Sequence, residues 1–201
     1  IPSMRGIFPI IFISIVASIL YYLYNSSEEY AKYSEVLNEY RKERNDFLIK
    51  SSKSPLKDTN YKLEYYEPNV NFRVIARVTK NEKKDTIIMA TSTGEIERFL
   101  DFALLDFKLG KSEYSMPVYK YLEGNNMGDL FFCFLDKTND NSTYAGGRYI
   151  DIEFENAKRI ELDFNKSYNP FCVYNEKYSC PIPTQKNYID FEIKAGEKIS
   201  K

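Results

Sequence analysis

The chain has 201 residues, of which 43% are hydrophobic and 28% charged. That composition suits one globular domain with a substantial core rather than a disordered chain. The formal net charge is −1 and histidine is absent. Those two facts exclude a strong nucleic-acid footprint, Ser-His-Asp or Cys-His catalysis and every His-ligated metal site.

Residues 7–24 carry no charge. At about 1.5 Å per residue such a helix roughly spans a ~30 Å hydrocarbon core. Arg5 precedes the run, Glu28 and Glu29 follow it, and Tyr21, Tyr22 and Tyr24 sit at its exit, where aromatic belts lie. The positive-inside rule then puts the N-terminus in the cytoplasm and the rest outside. Met4 is read as the natural start. A cleaved signal peptide competes with this reading, but Ala17 and Ser18, the small residues it needs, fall inside the apolar run. The expected organisation is a cytoplasmic N-terminus at 1–6, a transmembrane anchor at 7–24, a juxtamembrane helix and linker at 25–60, and a β-rich domain at 61–201.

Residues 25–27 read as a break. Ser26 and Glu29 form a capping-box pattern that predicts a new helix from there to about Lys50. Tyr30, Tyr33, Leu37, Tyr40 and Phe47 recur at helical spacing, and Arg44 interrupts their stripe. Residues 51–60 form a linker. Beyond them the period changes: Phe72, Val74, Ala76 and Val78 alternate with Arg73, Ile75 and Arg77. Further strands are predicted over 86–91, 99–109, 114–121, 130–135, 148–154, 159–164 and 188–193. Residues 98–109 also fit a helical period, and strand is preferred. Turn residues cluster at Gly94, Gly110, 123–126 and 137–147. The fold class expected is mainly β: an antiparallel sandwich or partly closed barrel, preceded by a transmembrane helix and an amphipathic helix.

Several motifs together resemble a family of unknown function. They are Arg44-x-Asp46-Phe47, Ser54-Pro55-Leu56, Tyr65-Tyr66-x-Pro68-Asn69 with Phe72-Arg73-Val74, and Ala90-Thr91-Ser92-x-Gly94. Phe131-x-x-Phe134-x-Asp136-x-Thr138 and Thr143-Tyr144-x-Gly146-Gly147-Arg148-Tyr149 continue the pattern. The block from Asp163-Phe164-Asn165 to Pro183 and the Ala195-Gly196-Glu197-Lys198 ending complete it. Over roughly residues 40–198 the chain resembles the bacterial and archaeal domain-of-unknown-function family 1684. The resemblance implies no activity or cofactor. One departure is Thr184-Gln185-Lys186 where a second proline and an acidic residue are expected after Cys180-Pro181-x-Pro183.

The candidate chemistry lies in the last third. Arg148, Asp151, Asp163, Asn165, Asn169, Asn175 and Asn187 are the candidate ligand-binding residues. Arg148 would hold an anion, the amides would orient it, and Asp163 or Glu197 would serve as general base. The alternative is structural: Asp and Asn brace turns by bonding nearby backbone. Cys172 and Cys180 are a disulfide candidate, and Cys133 sits in an apolar run as a core residue. Neither a metal site nor a cofactor is expected. The 139–147 segment reads as a hairpin turn.

The expected function is a membrane-anchored cell-envelope protein whose β-rich domain binds a partner protein or small ligand. The alternatives are a histidine-independent envelope hydrolase using carboxylates and an accessory subunit of a membrane complex. The expected partners are the membrane and other membrane or envelope proteins, with no nucleic acid. Whether the protein is an enzyme stays open. Two carboxylates within hydrogen-bond reach in a cleft would favour catalysis, and a filled, ion-paired interior would favour binding or scaffolding.

Overall fold

The structure, a computed structural model, describes residues 4–56, 61–122 and 129–199. The loop expected at 123–126 and the end of the 51–60 linker lie outside them. The chain divides into two compact units, Ile1–Glu39 and Tyr40–Lys201.

Helix α1 runs without interruption over Met4–Lys50. The expected break and capping box at Ser26 do not form. Instead the Ser26 and Ser27 hydroxyls donate to the carbonyls of Leu23 (3.0 Å) and Tyr24 (2.7 Å). Bonded back onto the preceding turn, they leave the helical backbone intact. Two pairs spaced i, i+4, Glu28 with Lys32 and Asp46 with Lys50, support the polar part of the helix. In the first unit, the large apolar side chains between residues 10 and 24 are exposed, from Val16 at 38% to Tyr22 at 70%. The helix ends where the Ser54 hydroxyl donates to the Leu48 carbonyl and accepts from the Leu56 amide.

The second unit is built on a curled antiparallel half-barrel of eight strands: β1 (Arg73–Lys80), β2 (Thr86–Ala90), β3 (Ile96–Leu109), β4 (Ser112–Tyr121), β5 (Leu130–Asp136), β6 (Arg148–Ile152), β7 (Arg159–Asp163) and β8 (Tyr188–Ile189). The order is β6-β5-β4-β3-β1-β7, with β2 added to β3 and β8 added in parallel to β5. The partly closed barrel expected from the strand spacing is therefore present, and the sandwich is not. Strand β3 can be this long because it serves three neighbours. Ile96–Leu100 pairs with β2, Ala103–Asp106 with β1, and the register shift between Asp101 and Ala103 against β4 bends it. Gly110, with φ +60°, turns β3 into β4.

Both faces of the central strands are covered. On β5, Leu130, Phe132 and Phe134 join the main core, while Phe131 and Cys133 join a second cluster with Phe99, Tyr119 and Tyr149. A strand buried on both faces reads as a continuous apolar run, which accounts for Phe131-Phe132-Cys133-Phe134. Ile75, on the wrong face by period, is exposed at 61%. The last predicted strand, 188–193, keeps the ladder for Tyr188–Ile189 alone. Further on, the carbonyls of Ile193 and Ala195 point at the Arg148 guanidinium instead. Likewise β7 stops at Asp163, whose carboxylate accepts from the Asn165 amide and caps the 3-10 turn Phe164–Lys166.

Candidate functional site

Strand β6 carries the polar centre of the fold, and its alternation sends neighbouring residues to opposite faces. Arg148 points into the main core and is fully buried. One terminal nitrogen donates to Asp136 Oδ2 at 2.8 Å and to the Ile193 carbonyl at 2.9 Å. The other donates to the carbonyls of Ala195 and Glu197. Its ring-plane neighbour is Phe134, with Cζ 5.2 Å from the centroid. Asp136 also accepts from the Thr138 amide (2.7 Å), the Thr138 hydroxyl (2.6 Å) and the Ile193 amide (3.2 Å). Burial pulls the Arg148 pKa down, and the Asp136 carboxylate opposes that. With both terminal nitrogens so engaged, Arg148 locks the 193–197 segment to the barrel rather than holding an anion.

Glu197 lies at the next layer and is also fully buried. Arg44 Nε donates to its Oε2 at 3.2 Å, across 153 positions of sequence. Asn169 Nδ2 donates to Oε1 at 3.0 Å, and the Tyr174 hydroxyl donates to the same oxygen. Burial would lower the Arg44 pKa, but the carboxylate of Glu197 and the surrounding phenols outweigh it and raise it. Gly196, φ +76°, makes the approach possible. A Cβ there would lie 2.6 Å from the Ser167 carbonyl and 2.7 Å from that of Phe164.

On the outer face of β6 stand Tyr149 and Asp151. A reciprocal pair of backbone bonds, both 3.0 Å, lays Tyr168 beside Tyr149. The Tyr168 and Tyr121 hydroxyls then both donate to the Asp151 carboxylate, the latter at 3.1 Å. Arg44 Cζ sits 4.1 Å from the Tyr168 ring centroid, so one arginine touches the Glu197 and Asp151 groups. Behind them the rings of Phe99 and Phe131 stack at 5.1 Å, and Tyr121 packs on Phe131 at 5.2 Å. Asp151 keeps an exposed rim, yet the protein packed around its carboxylate displaces enough water to raise its pKa. The two phenol bonds and Arg44 work the other way without cancelling the rise.

The seven candidate residues do not form one pocket lining. Arg148 belongs to the first centre and Asn169 to the Glu197 centre. Asp163 and Asn165 brace the 3-10 turn, with Asn165 also exchanging 2.9 Å bonds with the backbone of Asn69. Asn175 donates to the Pro55 carbonyl at 3.2 Å, and Asn187 ties the Tyr119 hydroxyl to the Pro117 carbonyl. Asp151 is the exposed member of the set. Among the described residues, none of the hydrogen bonds joins two carboxylates. Sequence reasoning left out Arg44, Tyr121, Tyr168 and Tyr174 as site residues. The available signal was Arg44 itself, a charge on an otherwise apolar helical stripe.

Cys133, Cys172 and Cys180 are free thiols in the structure. Cys133 is fully buried, and burial pushes its thiol up. Cys172 and Cys180 are brought together, with the Cys172 amide donating to Cys180 Sγ at 3.2 Å.

The fold and its buried centres define a half-barrel β domain whose buried polar groups are mostly architectural joints. The chain belongs to the family described as Protein of unknown function (DUF1684), whose profile matches residues 59–198. It is similar to an uncharacterized protein of Haloarcula marismortui, known from a solution NMR structure. The two are 30% identical with a TM-score of 0.67, over 85% of this chain and 96% of that one. The likeness therefore takes in nearly the whole of the Haloarcula chain. A comparison with curated proteins returns no match.

Proposed function

We propose that this is a single-pass membrane-anchored protein that displays its half-barrel domain on the side away from the cytoplasm and works there by binding rather than catalysis. The observation that carries the anchor is the side-chain exposure of the uncharged run. A helix apolar on every face, and unburied by its own chain, is matched to lipid. Arg5 before the run and the acids after it support the orientation. Outside the cytoplasm, the Cys172–Cys180 pair expected from the sequence would close a bridge.

Binding is favoured over hydrolysis because the buried acids are already engaged: Asp136 with Arg148, and Glu197 with Arg44. The ligand-facing group is then Asp151 with its two phenols, the accessible part of the candidate set. A partner protein or a small cationic ligand fits a carboxylate framed by aromatic rings.

Membrane fractionation tests the anchor. The full chain should resist extraction by alkaline carbonate and dissolve in detergent. Protease added to intact spheroplasts should digest the β domain. Release by carbonate would remove the anchor, and protection in spheroplasts with digestion only after lysis would reverse the orientation.

A further inference from the structure

From the placement of Cys172 and Cys180 we infer a thiol–disulfide exchange site, in which Cys172 attacks and Cys180 resolves. This does not depend on which side of a membrane the domain occupies.

The geometry separates the two sulfurs by access. Cys172 is half-buried in the 3-10 turn Phe171–Val173, while Cys180 is 7% exposed beneath it. An incoming disulfide reaches Cys172 first. The segment between the cysteines is already folded back. Tyr178 donates its amide to the Asn175 carbonyl at 3.0 Å, and the Phe171 and Tyr178 rings meet edge to face at 5.5 Å. Cys180 is fixed from the other side, since its amide donates to Ser92 Oγ at 3.1 Å and its carbonyl accepts from the Ser92 amide at 2.9 Å. A loop held this way loses little further entropy on closing.

The surroundings also favour a thiolate at Cys172. Hydrogen bonds from the Cys180 thiol, then from the Ser92 and Tyr144 hydroxyls, bring its pKa down to about 6 despite the cost of burial. Cys180 moves upward, chiefly through its bond to Cys172 and its burial. A low-pKa, accessible thiol beside a shielded one is the arrangement of an attacking and a resolving cysteine.

The exchange is balanced with a small disulfide R–S–S–R as oxidant. The Cys172 thiolate attacks one sulfur, forms a Cys172–S–S–R bond and expels R–S⁻, which takes up a proton. Cys180 gives its proton to water and attacks the Cys172 sulfur, breaking the S–S bond of the mixed disulfide and releasing the second R–S⁻. The pair loses two electrons and the small disulfide gains them.

The test uses the full chain in detergent, reduced and then exposed to oxidised glutathione, followed by intact-mass and peptide mapping. Wild type should end with one intramolecular bridge and no adduct. Cys180→Ala should accumulate a glutathione adduct on Cys172, and Cys172→Ala should react at least about tenfold more slowly. Limited alkylation of the wild-type protein provides a reading that needs no variant to fold. Cys172 should be labelled first, with a rate that rises through about pH 6 and is flat by pH 8. Preferential labelling of Cys180 would overturn the assignment. So would a Cys172 rate still climbing at pH 9, or an adduct that persists in the wild type.

Discussion

The two faces of strand β6 hold two polar arrangements, and they differ in what is left unused. On the inner face, Arg148 and Asp136 are both fully buried, and three of the carbonyls around Arg148 come from the 193–197 segment. Three residues along, on the outer face, Asp151 meets two phenols and retains a solvent-facing rim. The lesson is that polar density alone does not mark a site. A guanidinium whose terminal nitrogens are held by backbone is a joint, whereas an accessible carboxylate with a raised pKa has affinity left to offer.

The largest effect expected from this contrast is at Arg148. Arg148→Ala leaves Asp136 as an uncompensated buried charge and should cost about 3–5 kcal/mol. The variant should fail to fold at growth temperature, as read by soluble yield and thermal melts. Pairing it with Asp136→Leu should recover part of the loss, because no lone charge then remains. Full stability in Arg148→Ala would return the inner face to the list of binding sites.

Gly196→Ala comes next. It forces an alanine to φ +76° and drives its Cβ against the Ser167 and Phe164 carbonyls. The loss should exceed the roughly 1 kcal/mol of an ordinary glycine replacement, measured by urea unfolding. A neutral result would mean that the 195–198 segment is not clamped as described.

Arg44→Met separates the two centres. It removes the partner of buried Glu197 and should cost about 2–4 kcal/mol. Adding Glu197→Gln should relieve much of that, which a double-mutant cycle would show as strong coupling.

Asp151→Asn should have the smallest effect on stability and the sharpest effect on pH dependence. Its folded pKa lies above the usual 3.8, so between the two values the native state holds the proton more tightly. The favourable contribution is complete below the unfolded value and is lost as pH rises through the folded one. Melting temperatures of wild type, measured relative to Asp151→Asn, should therefore fall as pH rises from about 3.5 towards neutrality. An opposite slope would show that the phenols, rather than burial, dominate this carboxylate. The same variant should weaken binding of any cationic ligand or partner while leaving the fold intact.

Much of the architecture was legible in the residues alone. The uncharged run, the change of period after residue 70 and the turn residues are local signals, and they returned a helical N-terminal segment, though as two helices, and the strand set of a partly closed barrel. Local signals failed where a local alternative was available. Ser26 looked like a cap, but its hydroxyl bonds back to Leu23, and the helix continues. Residues 190–193 looked like strand, but Arg148 takes the Ile193 carbonyl. The candidate site shows the same limit more sharply. The sequence named Arg148, Asp151 and Asn169 by composition and could not say which would be consumed by partners.

That division was decided by tertiary structure for a physical reason. The partner of Glu197 is 153 residues away, on a helix, and the partners of Asp151 come from β4 and from a loop after β7. No local propensity encodes such pairs. Strand register decides which side of β6 each residue faces, and an ion or hydrogen-bond partner waiting on that side decides whether it becomes a joint or stays available. The sequence determined the elements and the family. The register of the half-barrel determined what its polar residues are for.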